Sequence, residues 1–384
     1  MTKVAIVRAI TTPYYRAHAN VFINGIIDNV IDLGSIAVKE MCKFSNLDSL
    51  LDHAYIGCVY QNNLGQNPAK QVVEKAGFSI PATTVNSTCG SSFDAILSGF
   101  DSIKSGRHKA VLVGGMECMS FCESLTDGLT NPYTNKSMAY EAEMYNIKND
   151  NFSETLLNNY SIESRNRSIS FKNQYFSEYV KYLCNLDSYI DYIKYKKMIR
   201  KQEEFNDAAL AAQNAILSDY FGDDAKFKKG NICYNADGAS FLVLMDLETA
   251  EKYGYEILAE ITDGTIISMS PQDRFSIGAT PAASIISLLN KNNLSLDDID
   301  YFEINESFSS VVLSTCARLN LDLENVNRYG GCISYGHPLA SSGTRLIINI
   351  LIDLLIREDT QRAIASLCIG SGMGGSILID RHKK

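Results

Sequence analysis

The strongest constraint on what this chain can fold into is a set of short apolar runs that do not alternate. Lys109-Ala110-Val111-Leu112-Val113-Gly114-Gly115 and Ser240-Phe241-Leu242-Val243-Leu244-Met245 place apolar side chains at consecutive positions, so a strand built from either buries both faces. A sheet with one wet face would show a period of two instead. Such strands, separated by helical stretches, predict a parallel or mixed sheet covered by helices on both sides. Strands are expected at 3–9, 53–59, the β-branched run before Cys89, 109–115 and 240–245, then at 257–263, 301–304, 326–335, 362–369 and 375–379. Helices are expected over 20–45, from Gly65 onward with Pro68 in the first turn, from Phe93 to Gly106, and over 280–291, 306–319 and 341–357.

With 384 residues, the chain exceeds the size at which one core keeps growing, so two or more domains are expected. From about 119 to 235 the strand–helix rhythm stops, and Asn, Lys, Ser and Tyr dominate. Tyr175, Tyr179, Tyr182, Tyr189 and Tyr192 recur at helical spacing, which reads as the half-buried face of an inserted helix in preference to a ligand-stacking surface. The division that follows is 1–118 with 236–256, an inserted 119–235, and 257–384. The two outer parts echo each other: each has a reactive residue before a small-residue helix start, then a glycine-flanked apolar strand.

A hydrophobic share of 46% and a charged share of 21% describe a folded globular chain. The net charge of -9 gives no support for nucleic acid or an anionic membrane as main partner. No run of about 18 apolar residues is present, and the N-terminus reads as a strand, not a signal peptide. Ten cysteines without a CxxC pair form neither a disulfide framework nor a zinc pattern, so no metal is called and a reducing, cytoplasmic setting is expected.

The chemistry starts at Thr83-Thr84-Val85-Asn86-Ser87-Thr88-Cys89-Gly90-Ser91-Ser92-Phe93. A β-branched stretch ends in one thiol at a helix start, where free N–H groups and the dipole favour a thiolate. A buried structural cysteine is the competing reading. Three later clusters weigh against it. Asn305-Glu306-Ser307-Phe308 follows a strand, although Asn there also suits a helix cap. Gly336-His337-Pro338 sets a histidine between Gly and Pro before a small-residue helix start, which is poor core material. Cys368-Ile369-Gly370-Ser371-Gly372-Met373-Gly374 ends a strand in a glycine-rich loop whose N–H groups can face a developing negative charge. Two thiols and an imidazole at strand-to-loop junctions suit a nucleophile, its base and a second acid/base.

On these motifs the chain resembles the thiolases. Asn86–Ser91, Gly114-Gly115-Met116-Glu117-Cys118-Met119-Ser120, Asn305–Phe308, Gly336–Pro338 and Cys368–Gly374 match the family's segments in order, over about 1–143 and 206–384. The resemblance implies a five-layer αβαβα fold of two similar halves with an inserted loop domain. It implies an acetyl-CoA C-acetyltransferase or 3-ketoacyl-CoA thiolase, with acyl-CoA and coenzyme A as substrates, no covalently bound cofactor, and a homo-dimer or homo-tetramer. It implies that His337 takes the proton of Cys89, which carries the acyl group, and that Cys368 is acid and base for the second step. The oxyanion sites would be backbone N–H of Cys89 and Gly370 for the tetrahedral oxygen, and His337 with a water held by Asn305 for the enolate. Met138, Cys233, Tyr234 and Phe308 would contact substrate.

Departures from the family pattern fall in the inserted region. Cys233-Tyr234 stand where thiolases usually carry Ser-Gly, and that serine normally meets the pantetheine arm. Ser137 stands where a histidine often precedes the methionine, although Asp127–Glu143 otherwise resembles the short-chain acetoacetyl-CoA type. Residues 145–205 match nothing in the pattern, a family helix resumes at 207–214, and the stretch 216–229 is shortened. Ala340 and Ser341 replace Gly-Ala. The expected function is short-chain. The alternatives are a longer-chain thiolase, a specialised condensing enzyme, and a non-catalytic acyl-, lipid- or partner-binding protein. A decarboxylating synthase would need a second His or an Asn where Cys368 stands.

Overall fold

Burial on both faces selects the strands of the sheet. In this computed structural model, which describes residues 2–22, 25–43, 45–190, 226–270, 273 and 276–383, they are β1 (Val4–Thr11), β2 (His53–Gly57), β3 (Ala82–Val85), β4 (Ala110–Cys118), β5 (Ala236–Asp246), β6 (Ala259–Ser268), β7 (Tyr301–Ile304), β8 (Arg362–Ile369) and β9 (Met373–Asp380). With the short strand Tyr15–Arg16 they form a ten-stranded mixed sheet in the order β7-β8-β9-β6-β1-β5-β4-β2-β3. Each half repeats one pattern. A parallel pair (β2 with β4, β7 with β8) is followed by an antiparallel return (β4 with β5, β8 with β9), and then by a second antiparallel neighbour (β1 to β5, β6 to β9). The halves join where β1 pairs antiparallel with β6, from Val4 opposite Ile261 to Ile6 opposite Ala259. The echo between the halves is thus a repeated topology.

Three apolar layers separate helices from strands. Among the described residues, the eight longer helices are α1 (Val30–Cys42), α2 (Pro68–Ala76), α3 (Ser91–Lys104), α4 (Met138–Tyr145), α5 (Glu154–Gln174), α6 (Thr280–Asn292), α7 (Ser309–Leu319) and α8 (Ser342–Ile356). α1 and α2 cover the outer face of the first half through Leu33, Val38, Val72 and Val73. α6 and α7 cover the outer face of the second through Ile285, Leu288, Val311 and Val312. Between the halves, α3 and α8 lie together in a layer built from Phe93, Ile96, Ile347 and Ile350 with inward side chains of both sets of strands. The order is helix, strand, helix, strand, helix: the five-layer arrangement, with α8 buried nearly all round.

Four expectations are corrected. The 20–45 helix is only Val30–Cys42, because the Asn29 side chain accepts from Ile31 N (2.8 Å) and Asp32 N (3.2 Å) and starts the helix there. The 326–335 strand is a single bridge between Phe302 and Val326, followed by a turn and the short helix Cys332–Tyr335. The strand before Cys89 stops at Val85, since Asn86 turns its amide to Val59 O (3.2 Å) and accepts from Thr88 N (3.2 Å). The tyrosine series is not one helix face. Tyr175 ends α5, Tyr179 sits in the helix Phe176–Val180, and Tyr189 lies in a separate turn. Tyr179 and Tyr182 are nevertheless buried against the central layer, as a packing role requires. Tyr192, the stretch 207–214 and most of 216–229 lie outside the described residues.

Within 119–190, α5 packs on α7 and on Cys332–Tyr335, while Phe176–Val180 packs on α8. Among the described residues, no helix is long and apolar enough to cross a membrane. Because Ile347 is wholly buried in the central layer, Ile347→Ala should lower unfolding free energy by about 2–5 kcal/mol. Ile286→Ala, on the half-exposed side of α6, should change it by less than about 0.5 kcal/mol. Urea denaturation of the two variants checks the assignment of the layer; equal losses would contradict it.

Candidate active site

Two helix starts meet at one place. α3 begins two residues after Cys89, and α8 begins five residues after His337. They are locked together by Thr344 N donating to Ser92 Oγ (3.1 Å). The Cys89 turn is held from within: Ser91 Oγ accepts from Ser87 N (3.0 Å) and donates to Thr88 O (2.6 Å). Thr88 has φ +51, an outlier for a β-branched residue immediately before the thiol. The β8 strand brings Cys368, and Gly370 follows it; the next residue, Ser371, has φ +68. Asn305 comes from the end of β7. It caps no helix, because α7 begins only at Ser309 and its N-cap position is Phe308.

Cys89, His337, Cys368 and Gly370 share one cavity of about 140 Å³, with Met138, Cys233, Ser307 and Phe308 also in its wall. Gly128, Leu129, Ala139, Ile232, Ile277 and Leu339 make most of the remainder apolar. Asn305 is buried beside it and donates to Ser307 Oγ (2.8 Å), with the same nitrogen 3.4 Å from His337 Nε2. Ser307 Oγ is 3.4 Å from Cys368 Sγ. On the other side of the imidazole, Nδ1 lies 2.6 Å from Ser342 Oγ, whose hydroxyl donates to Pro338 O (2.9 Å). That hydroxyl therefore accepts Nδ1–H, and the lone pair of a neutral His337 sits on Nε2, on the side of Asn305.

Burial governs the titrations. The Cys89 thiol, half-buried by surface but enclosed by the cavity, is pushed well above its ordinary range, first by desolvation and then by Cys368 and Cys233 nearby. This corrects the expectation of a dipole-favoured thiolate. A helix N-terminus offers about 0.3–1 kcal/mol, up to about 2, while full desolvation moves a pKa by up to about 3–5 units. Cys89 rests as a thiol and needs a base. Burial lowers His337 to about 4, so the imidazole is neutral and able to accept a proton. Cys368 is raised to about 11 by burial, against which the Ser307 hydroxyl pulls it down.

The other named residues divide. Met138, Cys233 and Phe308 line the cavity, and Phe308 stacks on Phe227 with ring centroids 5.9 Å apart. Tyr234 turns away: its hydroxyl donates to Ser334 O (2.9 Å), and its backbone carbonyl accepts from His337 N (2.9 Å). Ser137 caps α4 and reaches the cavity wall. The sequence reading missed Ser307, Ser342 and Glu117, although each lies in or beside a quoted motif. Glu117 is wholly buried and raised to about 7 by desolvation. It accepts from Val59 N (3.2 Å), Tyr60 N (3.1 Å) and Ala340 N (3.2 Å), tying the first half to the start of α8. A buried acid in an otherwise apolar strand was the available signal. Among the described residues, no group of three or more His, Cys, Asp or Glu could hold a metal ion.

A thiol, a neutral imidazole and a second thiol around one apolar cavity can form and break a thioester; a five-layer fold of two repeated α/β halves carries them. Comparison with known proteins narrows the class. The thiolase N-terminal domain matches residues 4–124 and the thiolase C-terminal domain residues 255–381. An acetyl-CoA acetyltransferase of Yarrowia lipolytica is 31% identical over 383 residues, covering 93% of each chain. A probable acetyl-CoA acyltransferase of Staphylococcus aureus is 28% identical over 405 residues, covering 98% of this chain and 100% of its own. The solved structure of Acat5 thiolase from Ascaris suum in complex with coenzyme A shares the fold, with a TM-score of 0.83 at 24% identity, over 99% of this chain and 100% of that one. The chain belongs to the thiolase family, and it is an acyltransferase enzyme of that family.

Removing the hydroxyl beside Cys368 tests the local electrostatics. Ser307→Ala should move alkylation of Cys368 by iodoacetamide to higher pH than in the wild type, because the bond that lowers the thiol's pKa is gone. Peptide mass spectrometry across pH reads it; an unchanged profile would contradict the contact.

Proposed function

We propose that this thiolase is an acetyl-CoA C-acetyltransferase that makes or cleaves acetoacetyl-CoA and similar short-chain 3-ketoacyl-CoAs. Acyl-CoA and coenzyme A are its substrates, and no cofactor is bound covalently. The observation that carries the reading is the single cavity of about 140 Å³ shared by Cys89, His337 and Cys368. A dry cavity of about 150 Å³ holds one benzene, so the space suits a few carbons and not a long chain.

In this reading His337 Nε2 takes the proton of Cys89, and the thiolate attacks the acyl-CoA carbonyl. Backbone N–H of Cys89 and Gly370 hold the tetrahedral oxyanion; losing one such donor typically costs about 3–4 kcal/mol. The thiolate of coenzyme A leaves with the proton from His337, and the acyl group stays on Cys89. In synthesis, the Cys368 thiol passes its proton to His337, neutral again once coenzyme A has left. As the thiolate that the Ser307 hydroxyl favours, Cys368 removes a methyl proton from a second acetyl-CoA; His337 returns its proton to Cys368 when the cycle closes. Asn305, through a water, and His337 serve the enolate oxygen. The carbanion displaces Cys89 from its thioester, and the proton on Cys368 restores the Cys89 thiol. Cleavage runs the same steps backwards, with Cys368 protonating the departing acetyl-CoA.

Met138 and Phe308 bound the acyl group, and Cys233 meets the pantetheine arm as a weaker hydrogen-bond partner than a serine. The coenzyme A bound to the Ascaris suum thiolase supports coenzyme A as the ligand here. Residues 119–235 act as the loop domain between 1–118 with 236–256 and 257–384. A homo-dimer or homo-tetramer is supported by β3, a half-exposed strand at the sheet edge beside the Cys89 turn. Ten free thiols fit a reducing, cytoplasmic setting.

Intact mass after incubation with acetyl-CoA is the direct test. The wild type and Cys368→Ala should gain one acetyl group, Cys89→Ala none, and Cys368→Ala should not turn over acetoacetyl-CoA. An acetylated Cys89→Ala variant would remove Cys89 as nucleophile. Across a series of 3-ketoacyl-CoAs, activity should peak at four carbons; a preference for eight or more would sink the short-chain reading.

A further inference from the structure

Glu306 is wholly buried, and its two oxygens belong to two different networks. Oε1 accepts from Tyr160 OH (2.7 Å) and Asn327 Nδ2 (3.3 Å). Oε2 accepts from Ser164 Oγ (2.7 Å) and Ile333 N (3.1 Å). Tyr160 and Ser164 stand one turn apart on α5. Four donors around a carboxylate with no cation among these partners make a stiff, fully satisfied cluster.

Each network ends on a segment that carries a residue of the site, Asn305 or His337. On the Oε1 side, Asn327 grips Ile304 like a strand neighbour: Oδ1 accepts from Ile304 N (2.8 Å), and Nδ2 donates to Ile304 O (2.8 Å). Asn327 Nδ2 also donates to Tyr160 OH (3.1 Å). Asn305 is therefore clamped through both chain neighbours, Ile304 and Glu306, by groups that converge on one tyrosine hydroxyl. On the Oε2 side, Ser164 Oγ accepts from Gly331 N (3.1 Å), at the head of the turn that leads to His337. That turn presses so closely that a Cβ on Gly330 would lie 2.1 Å from Ser168 Oγ, and one on Gly331 would lie 2.3 Å from Glu306 Cδ. The glycine pair is required by the approach of α5 and Glu306.

We infer that Tyr160 is a positioning residue for the carbon–carbon step, holding Asn305 in place against His337 through Glu306 and Asn327. The inference rests on the proposed thiolase chemistry and adds what α5 does in it. Asn305 and His337 together face the enolate, whereas acylation of Cys89 needs His337 without Asn305. Tyr160 bonds the groups that hold the Asn305 segment directly and meets the His337 turn only through the far oxygen of Glu306. Ser164, on the other oxygen and on Gly331, reaches the His337 turn.

The two half-reactions separate these roles. Acylation is followed by intact mass with acetyl-CoA, and carbon–carbon cleavage by turnover of acetoacetyl-CoA with coenzyme A. Tyr160→Phe should acetylate Cys89 within about twofold of the wild-type rate and cleave acetoacetyl-CoA roughly tenfold more slowly or worse, with KM unchanged, because a displacement near 1 Å costs up to about a hundredfold. Ser164→Ala should slow acylation as well. Wild-type rates for Tyr160→Phe in both steps would overturn the inference alone. Losses in both steps that track a fall in melting temperature would also overturn it, leaving Tyr160 a purely structural group. A wild type that never acquires an acetyl group would overturn the proposed function and, with it, this inference.

Discussion

The back-to-back packing of α3 and α8 between two sets of strands is the constraint on which the rest depends. Each helix is the central crossover of its half, and each is preceded by a residue of the cavity wall, Cys89 or His337. Stacking them in a dry layer, with Thr344 N on Ser92 Oγ, forces Cys89 and His337 to the same end of the molecule. The strands fall into place around them. β8 carries Cys368 to that end, and β7 delivers Asn305. No side chain has to reach far, because the repeat itself superposes the strand ends on one cavity.

The same dryness that stabilises the layer sets the chemistry. Desolvation raises both thiols and lowers the imidazole, and the helix N-terminus is too weak to reverse it at Cys89. The resting site is therefore neutral: two thiols and a neutral imidazole with its lone pair on Nε2. Charge is created only when substrate arrives, and the groups able to stabilise it are short polar side chains already in place. Ser307 serves Cys368, and Ser342 orients His337.

Polar side chains tie the described part of 119–190 to the loops around the cavity. α5 presents Asn158, Tyr160, Ser161, Ser164 and Ser168 to the loops behind the cavity. Asn231, at the root of the Cys233 wall, bonds Asn158 Oδ1 (3.0 Å) and Ser161 Oγ (3.1 Å). One helix thus braces the Asn305 loop, the His337 turn and the Cys233 segment at once. Its apolar patterning is poor, and hydrogen bonds to a buried carboxylate replace a hydrophobic stripe as the means of docking.

What the sequence by itself determined is whatever follows from local patterning and residue chemistry. Non-alternating runs called for a parallel or mixed sheet covered on both faces, and small residues after Cys89 and His337 marked two helix starts. The thiols and the imidazole were legible because Gly, Pro and glycine-rich loops surround them. Tertiary structure alone decided the rest. Asn86 and Asn29 moved element ends by side-chain bonds that compete with the ladder, and the tyrosine series broke across three elements. Tyr234 left the cavity because Ser334 O, a hundred residues away, captured its hydroxyl. The pull of the helix dipole on Cys89 was overweighted for the same reason: burial is a property of the packed molecule, not of a segment, and it outweighs the helix dipole that a segment can show.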